Sequence, residues 1–153
     1  MLFPLLVLAV VAGDQLSKMV VRRTLAPYES VPVLDNIFHL THVNNPGAAF
    51  GLLAHRTPFF IAVGIIVVGL VLVAYSQFRT RGFYLQLALA LQLGGALGNL
   101  MDRLRFGYVV DFLDFRIWPV FNLADVAIVG GTGLLVWNLW RREGEQGREK
   151  EEG

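Results

Sequence analysis

Two aspartates, Asp111 and Asp125, stand at positions where carboxylates can do chemistry. Asp111 closes a charged segment. Asp125 follows Phe121-Asn122-Leu123-Ala124 early in an apolar run. A chain that returns into the membrane between them can bring the two carboxylates together at its surface. Two close carboxylates cannot both ionise easily, so they share one proton. Such a pair can hydrolyse an amide: one member activates water as base while the other polarises the carbonyl as acid. It titrates as a unit, so spacing assigns neither residue a fixed resting state. The same spacing also suits solvated or helix-capping aspartates.

Other polar residues sit in apolar surroundings. Asp14 and Lys18 are four apart, share a helix face, and place the acid N-terminal to the base. They read as a structural ion pair facing other helices, with a direct catalytic role as the lesser alternative. Gly94 and Gly98 form a G-x-x-x-G pattern that permits close helix packing. Asn99 then shares a face with Asp102 and Arg103, and Arg103 can pair with a carboxylate or hold a substrate carbonyl. Residues 44–51 form a turn followed by small residues. Another backbone, such as an extended peptide, can approach there; an ordinary re-entrant loop fits equally. His39, His42 and His55 lack carboxylate or cysteine partners at ligand spacing, so no metal site is expected. No G-x-S-x-G, H-E-x-x-H or phosphate loop is present.

The elements that must position these residues are membrane spans. The 153-residue chain is 55% hydrophobic and 16% charged, too little polar surface for a small soluble domain. A net charge of +1 offers no basic patch for nucleic acid. The absence of cysteine excludes disulfides, thiolate chemistry and a lipid on the chain's own cysteine. Residues 57–78 and 82–101 contain no charge, and 1–21 and 119–140 are apolar with few exceptions. The first segment lacks a leading Lys or Arg and a small-x-small site, so it reads as a retained span rather than a cleaved leader. The predicted fold is one mainly α membrane domain with four transmembrane helices. Between the first two lies a small β element: residues 36–43 partly alternate, flanked by Pro27, Pro32 and Asp35-Asn36. Asp102 to Arg116 reads as a short surface helix or loop able to close over a cleft, and 141–153 as a frayed, solvated tail. Trp118, Trp137 and Trp140 suit the ends of the last span. Lys and Arg outside the spans divide evenly between the two sides, so they do not set orientation.

In order along the chain, these residues resemble one family closely. The stretches are Asp14-Gln15-x-x-Lys18, Asn45-x-Gly47-Ala48-Ala49-Phe50, Gly94-Gly95-Ala96-x-Gly98-Asn99-x-x-Asp102-Arg103, Gly107-x-Val109-x-Asp111-Phe112 and Phe121-Asn122-x-Ala124-Asp125. Together they are similar to the lipoprotein signal peptidase (signal peptidase II) family. The resemblance implies an aspartic endopeptidase of the bacterial cytoplasmic (inner) membrane. It implies both termini in the cytoplasm and a catalytic pair, Asp111 and Asp125, near the outer face. Asn45, Gly95, Asn99, Arg103, Asn122 and Ala124 would line or support the site, and Asp14, Lys18 and Asp102 would be structural. The implied substrate is a diacylglyceryl-modified prolipoprotein, cut just before its lipid-bearing cysteine. Membrane lipid and globomycin-type cyclic peptides would be the other partners. A monomer without cofactor is expected. The competing expectations are a small proton-coupled transporter or channel subunit, and a non-catalytic assembly protein.

Overall fold

The structure, a computed structural model, describes residues 2–47, 56–78 and 82–151. Its elements run α1 (Leu2–Thr24), β1 (Ser30–Leu34), β2 (Phe38–Asn45), α2 (Thr57–Phe78), α3 (Phe83–Phe106), β3 (Val109–Asp114) and α4 (Leu123–Glu151). Four of these helices are long and apolar enough to cross a membrane, α4 over Leu123–Arg141.

α3 is the hub and packs on α1, α2 and α4. Its small residues explain why. A Cβ at Gly94 would collide with Val10 of α1, one at Gly98 with the Asp14 carboxylate, and one at Gly95 with the Ala124 carbonyl of α4. Without those side chains the backbones close up, as small residues at membrane helix interfaces allow. α2 is different: Val71 is its one buried residue, and most of its surface is left for lipid. Far from the sheet, Phe3, Val71, Leu85, Leu89, Ala90 and Leu93 form a core, with the Phe3 and Tyr75 rings stacked 3.6 Å apart.

The three strands form one antiparallel sheet in the order β1-β2-β3. Asn36, at φ 59°, turns β1 into β2, as the Asp35-Asn36 pair predicts. Val21, Val110 and Phe112 cluster beneath the sheet and seat it on α1. The C-terminal ends of α1 and α3 and the N-terminal ends of α2 and α4 all face this sheet.

One expectation needs correction. Asp102 to Arg116 is not a surface helix. α3 continues through Asp102, Arg103 and Arg105, and Gly107, at φ 81°, ends it with its N–H on the Arg103 carbonyl. Val109-Val110-Asp111-Phe112 then extends as a buried strand paired to β2, as its β-branched and aromatic side chains favour. Three of the charges that suggest a surface segment, Asp102, Arg103 and Arg105, belong to the end of α3. α4 stays helical to Glu151, in keeping with the Arg, Glu, Gln and Lys that dominate it.

Candidate active site

Strand register brings the carboxylates together. Asn45 pairs with Val109 across the sheet, so Asp111 lies diagonally opposite on the same face. The Asn45 Nδ2 donates to Asp111 Oδ2 at 2.9 Å. Beyond β3 the chain loops out and returns. Leu113 and Phe121 form an isolated antiparallel bridge, with Leu113 N–H on the Phe121 carbonyl at 2.8 Å and the reverse bond at 3.1 Å. That closure delivers Asn122 and the start of α4 beside Asp111.

Asn122 caps α4. Its Oδ1 accepts the Asp125 N–H at 3.0 Å, while Asp125 Oδ2 accepts the Asn122 N–H at 3.3 Å. This reciprocal pair is a capping box with Asp125 in the acidic position. The Asn122 Nδ2 donates to Asp111 Oδ1 at 2.6 Å and to Asn99 Oδ1 at 3.2 Å. Asn122, fully buried, therefore touches both carboxylates, Asp111 through its side-chain amide and Asp125 through its backbone N–H.

Below this lies a buried ion cluster. Lys18 Nζ reaches Asp14 Oδ2 at 2.9 Å, Asp102 Oδ2 at 3.0 Å and Asn99 Oδ1 at 2.9 Å, with Lys18, Asp14 and Asp102 fully buried. The remaining acceptor sites are met as well. Ala124 N–H donates to Asp14 Oδ1 at 3.0 Å, and Val110 N–H to Asp102 Oδ2 at 3.2 Å. Gln15, given no role by the sequence reading, donates to Asp14, Asp102 and the Gly98 carbonyl. Its place beside Asp14 was the available signal. Because Lys18 occupies Asn99 Oδ1, the Asn99 amide nitrogen faces Asp125 Oδ1, at 2.8 Å.

The carboxylates open into one cavity of about 220 Å³, lined also by Asn45, Gly47, Asn99, Arg103, Trp118 and Phe121. Arg103 lies over the Phe60 ring, 5.0 Å from its centroid, and donates to the Gly47 carbonyl at 3.4 Å. Asp111 is 3% exposed. Burial lifts its pKa, donation from Asn45 opposes the lift, the Asp125 charge adds to it, and Asn122 and Lys18 oppose it, leaving it raised to about 7. Asp125, Asn99, Asn45 and Arg103 meet at the cavity with Asp111. Gly95, Asn122 and Ala124 stand behind it. Gly95 and Ala124 set the contact between α3 and α4, and Asn122 supplies the bonds just described. The stretch from Ala48 to Gly51, read as a bed for a peptide, and His55 lie outside the described residues. His42 is held by the Leu25 carbonyl and Asn44, and His39 by Ser30.

The profile of the family described as signal peptidase (SPase) II matches residues 6–141. The chain belongs to this family. The lipoprotein signal peptidase of Moorella thermoacetica is 60% identical over 147 residues, covering 96% of this chain and 98% of the relative. That of Halothermothrix orenii is 49% identical over 139 residues, covering 91% and 95%. A bacterial membrane enzyme solved by the in meso method at 2.3 Å resolution superposes with a TM-score of 0.87 at 31% identity, over 94% of this chain and 90% of that one. Membership in the signal peptidase II family and the four apolar helices make this chain a multi-pass membrane signal peptidase.

Proposed function

We propose that this signal peptidase acts on diacylglyceryl-modified prolipoproteins and cuts the peptide bond just before the lipid-bearing cysteine by an aspartic mechanism. The observation that carries the reading is the meeting of Asp111 and Asp125 in one cavity at the sheet end of the bundle. The pair holds one proton between its members. The ionised member takes a proton from water, and the resulting hydroxide attacks the scissile carbonyl. The protonated member donates to the carbonyl oxygen. Collapse of the tetrahedral intermediate returns a proton to the leaving nitrogen and frees the signal peptide. Arg103 and the Asn45 side chain are placed to hold substrate carbonyls along the cavity. Globomycin-type cyclic peptides would fill the same space. The chain works as a monomer in the bacterial inner membrane, its termini cytoplasmic and its site near the outer face. Two acyl chains anchor such a substrate in the bilayer, so its protease must work at the interface.

Cleavage of a diacylglyceryl prolipoprotein by the purified protein in detergent tests this, with Asp111→Asn and Asp125→Asn alongside. Each folded variant is expected to lose about 10²–10⁴-fold in kcat. Activity should survive chelation. An inert unsubstituted protein, or a folded variant with full activity, overturns the reading.

A further inference from the structure

The polar cavity has an apolar neighbour. A groove of about 720 Å³ runs outside it, walled by Ile117, Trp118, Phe121, Val126, Val129 and Gly130, with Asp125 at its head. Trp118, Phe121 and Asp125 wall both spaces, so the two meet at the carboxylate pair. Two further grooves between described residues, one along Phe3, Val7 and Leu93 and one along Ala9, Gly13 and Leu91, share no residue with the cavity, although the second shares Val126 and Gly130 with the groove. Ile117 is 92% exposed and Val129 72%, so the groove opens sideways toward lipid. Gly130 lies five residues beyond Asp125, about 7.5 Å along the helix axis. A Cβ there would meet nothing within 4 Å, which leaves the groove floor open.

We infer that this groove is an acyl-chain subsite, holding one fatty-acyl chain of the substrate's lipid while the peptide lies in the polar cavity. The inference rests on the proposed function and adds the path of the lipid. The lipid is attached to the residue beside the scissile bond, only a few bonds from the reacting carbonyl. Its chain must therefore leave the cavity by an apolar route that begins at the carboxylates, and this groove does. A chain moved from bilayer to groove gains little hydrophobic energy, because lipid tails are as apolar as the walls. The groove acts instead through register: a seated chain fixes where the scissile carbonyl lies, and small displacements there are costly.

The first test uses a lipopeptide substrate with a diazirine in mid-acyl chain, bound to Asp111→Asn protein and photolysed. Adducts on Trp118, Phe121 or Val129, displaced by unlabelled lipopeptide and not by phospholipid, are expected. Adducts on α2 or along Leu93, or adducts that phospholipid displaces, overturn the assignment; the latter would mark a site for resident membrane lipid. The second test fills the floor with Gly130→Leu. Its kcat/KM for dipalmitoyl substrate should fall at least about tenfold further than for dibutanoyl substrate. Gly69→Leu on α2, where a Cβ also meets open space, should leave the chain-length preference unchanged. An equal loss on both substrates with Gly130→Leu overturns the inference. Cleavage of the same lipopeptides by the unsubstituted protein reports separately on the proposed function.

Discussion

Asp111 and Asp114 lie on one strand yet behave oppositely. Burial pushes Asp114 up too, but bonds from Thr41 and Arg116 outweigh it and hold that carboxyl below its ordinary value. Asp111, buried and facing a second carboxylate, rises from 3.8 to about 7. The folded protein thus holds a proton on Asp111 where the unfolded chain, with a carboxyl near 3.9, has already released it. The native state binds more protons in that window, so this group's contribution to stability falls as pH rises from about 4 to about 7. Thermal unfolding across that range should show the fall in the unsubstituted protein and a flatter profile in Asp111→Asn; parallel profiles would refute it. Cleavage should decline on the alkaline side near pH 7, as the pair loses its shared proton. Asn122 allows a second separation of roles. Serine also caps helices well, but it is too short to bridge Asp111 and Asn99 as Asn122 does. Asn122→Ser should keep the cap, cost about 1–3 kcal/mol through the donor lost to buried Asp111 and Asn99, and lose at least about tenfold in kcat, measured by thermal melts and cleavage kinetics.

At the scale of elements, the site depends on how closely α3 approaches α4. Gly95→Ala places a methyl group against the Ala124 carbonyl and within 2.8 Å of Ile128 Cγ1. The helices must separate there, one residue from Asp125, at a cost of about 1–3 kcal/mol. Activity should fall with stability. Gly69→Ala on the lipid face of α2 has open space and should be neutral or stabilising, since Ala favours helix by about 0.5–1 kcal/mol over Gly. Melts and turnover of the two variants side by side check the contrast. The spans themselves were legible in the sequence because long uncharged runs have few other uses in a folded chain. β3 was not. Its six residues are buried on β2, so the polar alternation of a half-exposed strand is missing. The Asn122 and Asp125 of the capping box stand together in the sequence motif, but the reach of Asn122 to Asp111 depends on the Leu113–Phe121 bridge, a long-range contact that spacing does not encode.

For the whole molecule, the unsettled matter in the sequence was orientation, because Lys and Arg divide evenly across the two sides. The structure changes the weight of those charges. Arg22 lies 4.6 Å from the centroid of the Phe106 ring, Arg103 lies in the cavity, Arg105 donates to Gln15, and Arg116 pairs with Asp114. Four cations at the sheet end are thus engaged within the protein and are weak topology signals. In the sequence Arg79 and Arg81 fall between α2 and α3, on the same side of the spans as the C-terminal segment, where Arg141 lies 5.9 Å from the centroid of the Trp137 ring. The sheet end is also where both carboxylates open, opposite the two chain termini. The proposed orientation, with cytoplasmic termini and the site on the outer side, has a direct test. A fluorescent protein fused after Gly153 should therefore mature and fluoresce in bacterial cells, while alkaline phosphatase fused at the same point should stay inactive. Phosphatase placed in the β1–β2 turn at Asp35-Asn36 should be active. The reverse pattern would put the carboxylates on the cytoplasmic side, where a protease for exported lipoproteins would meet its substrate before translocation, and the proposed orientation would fall.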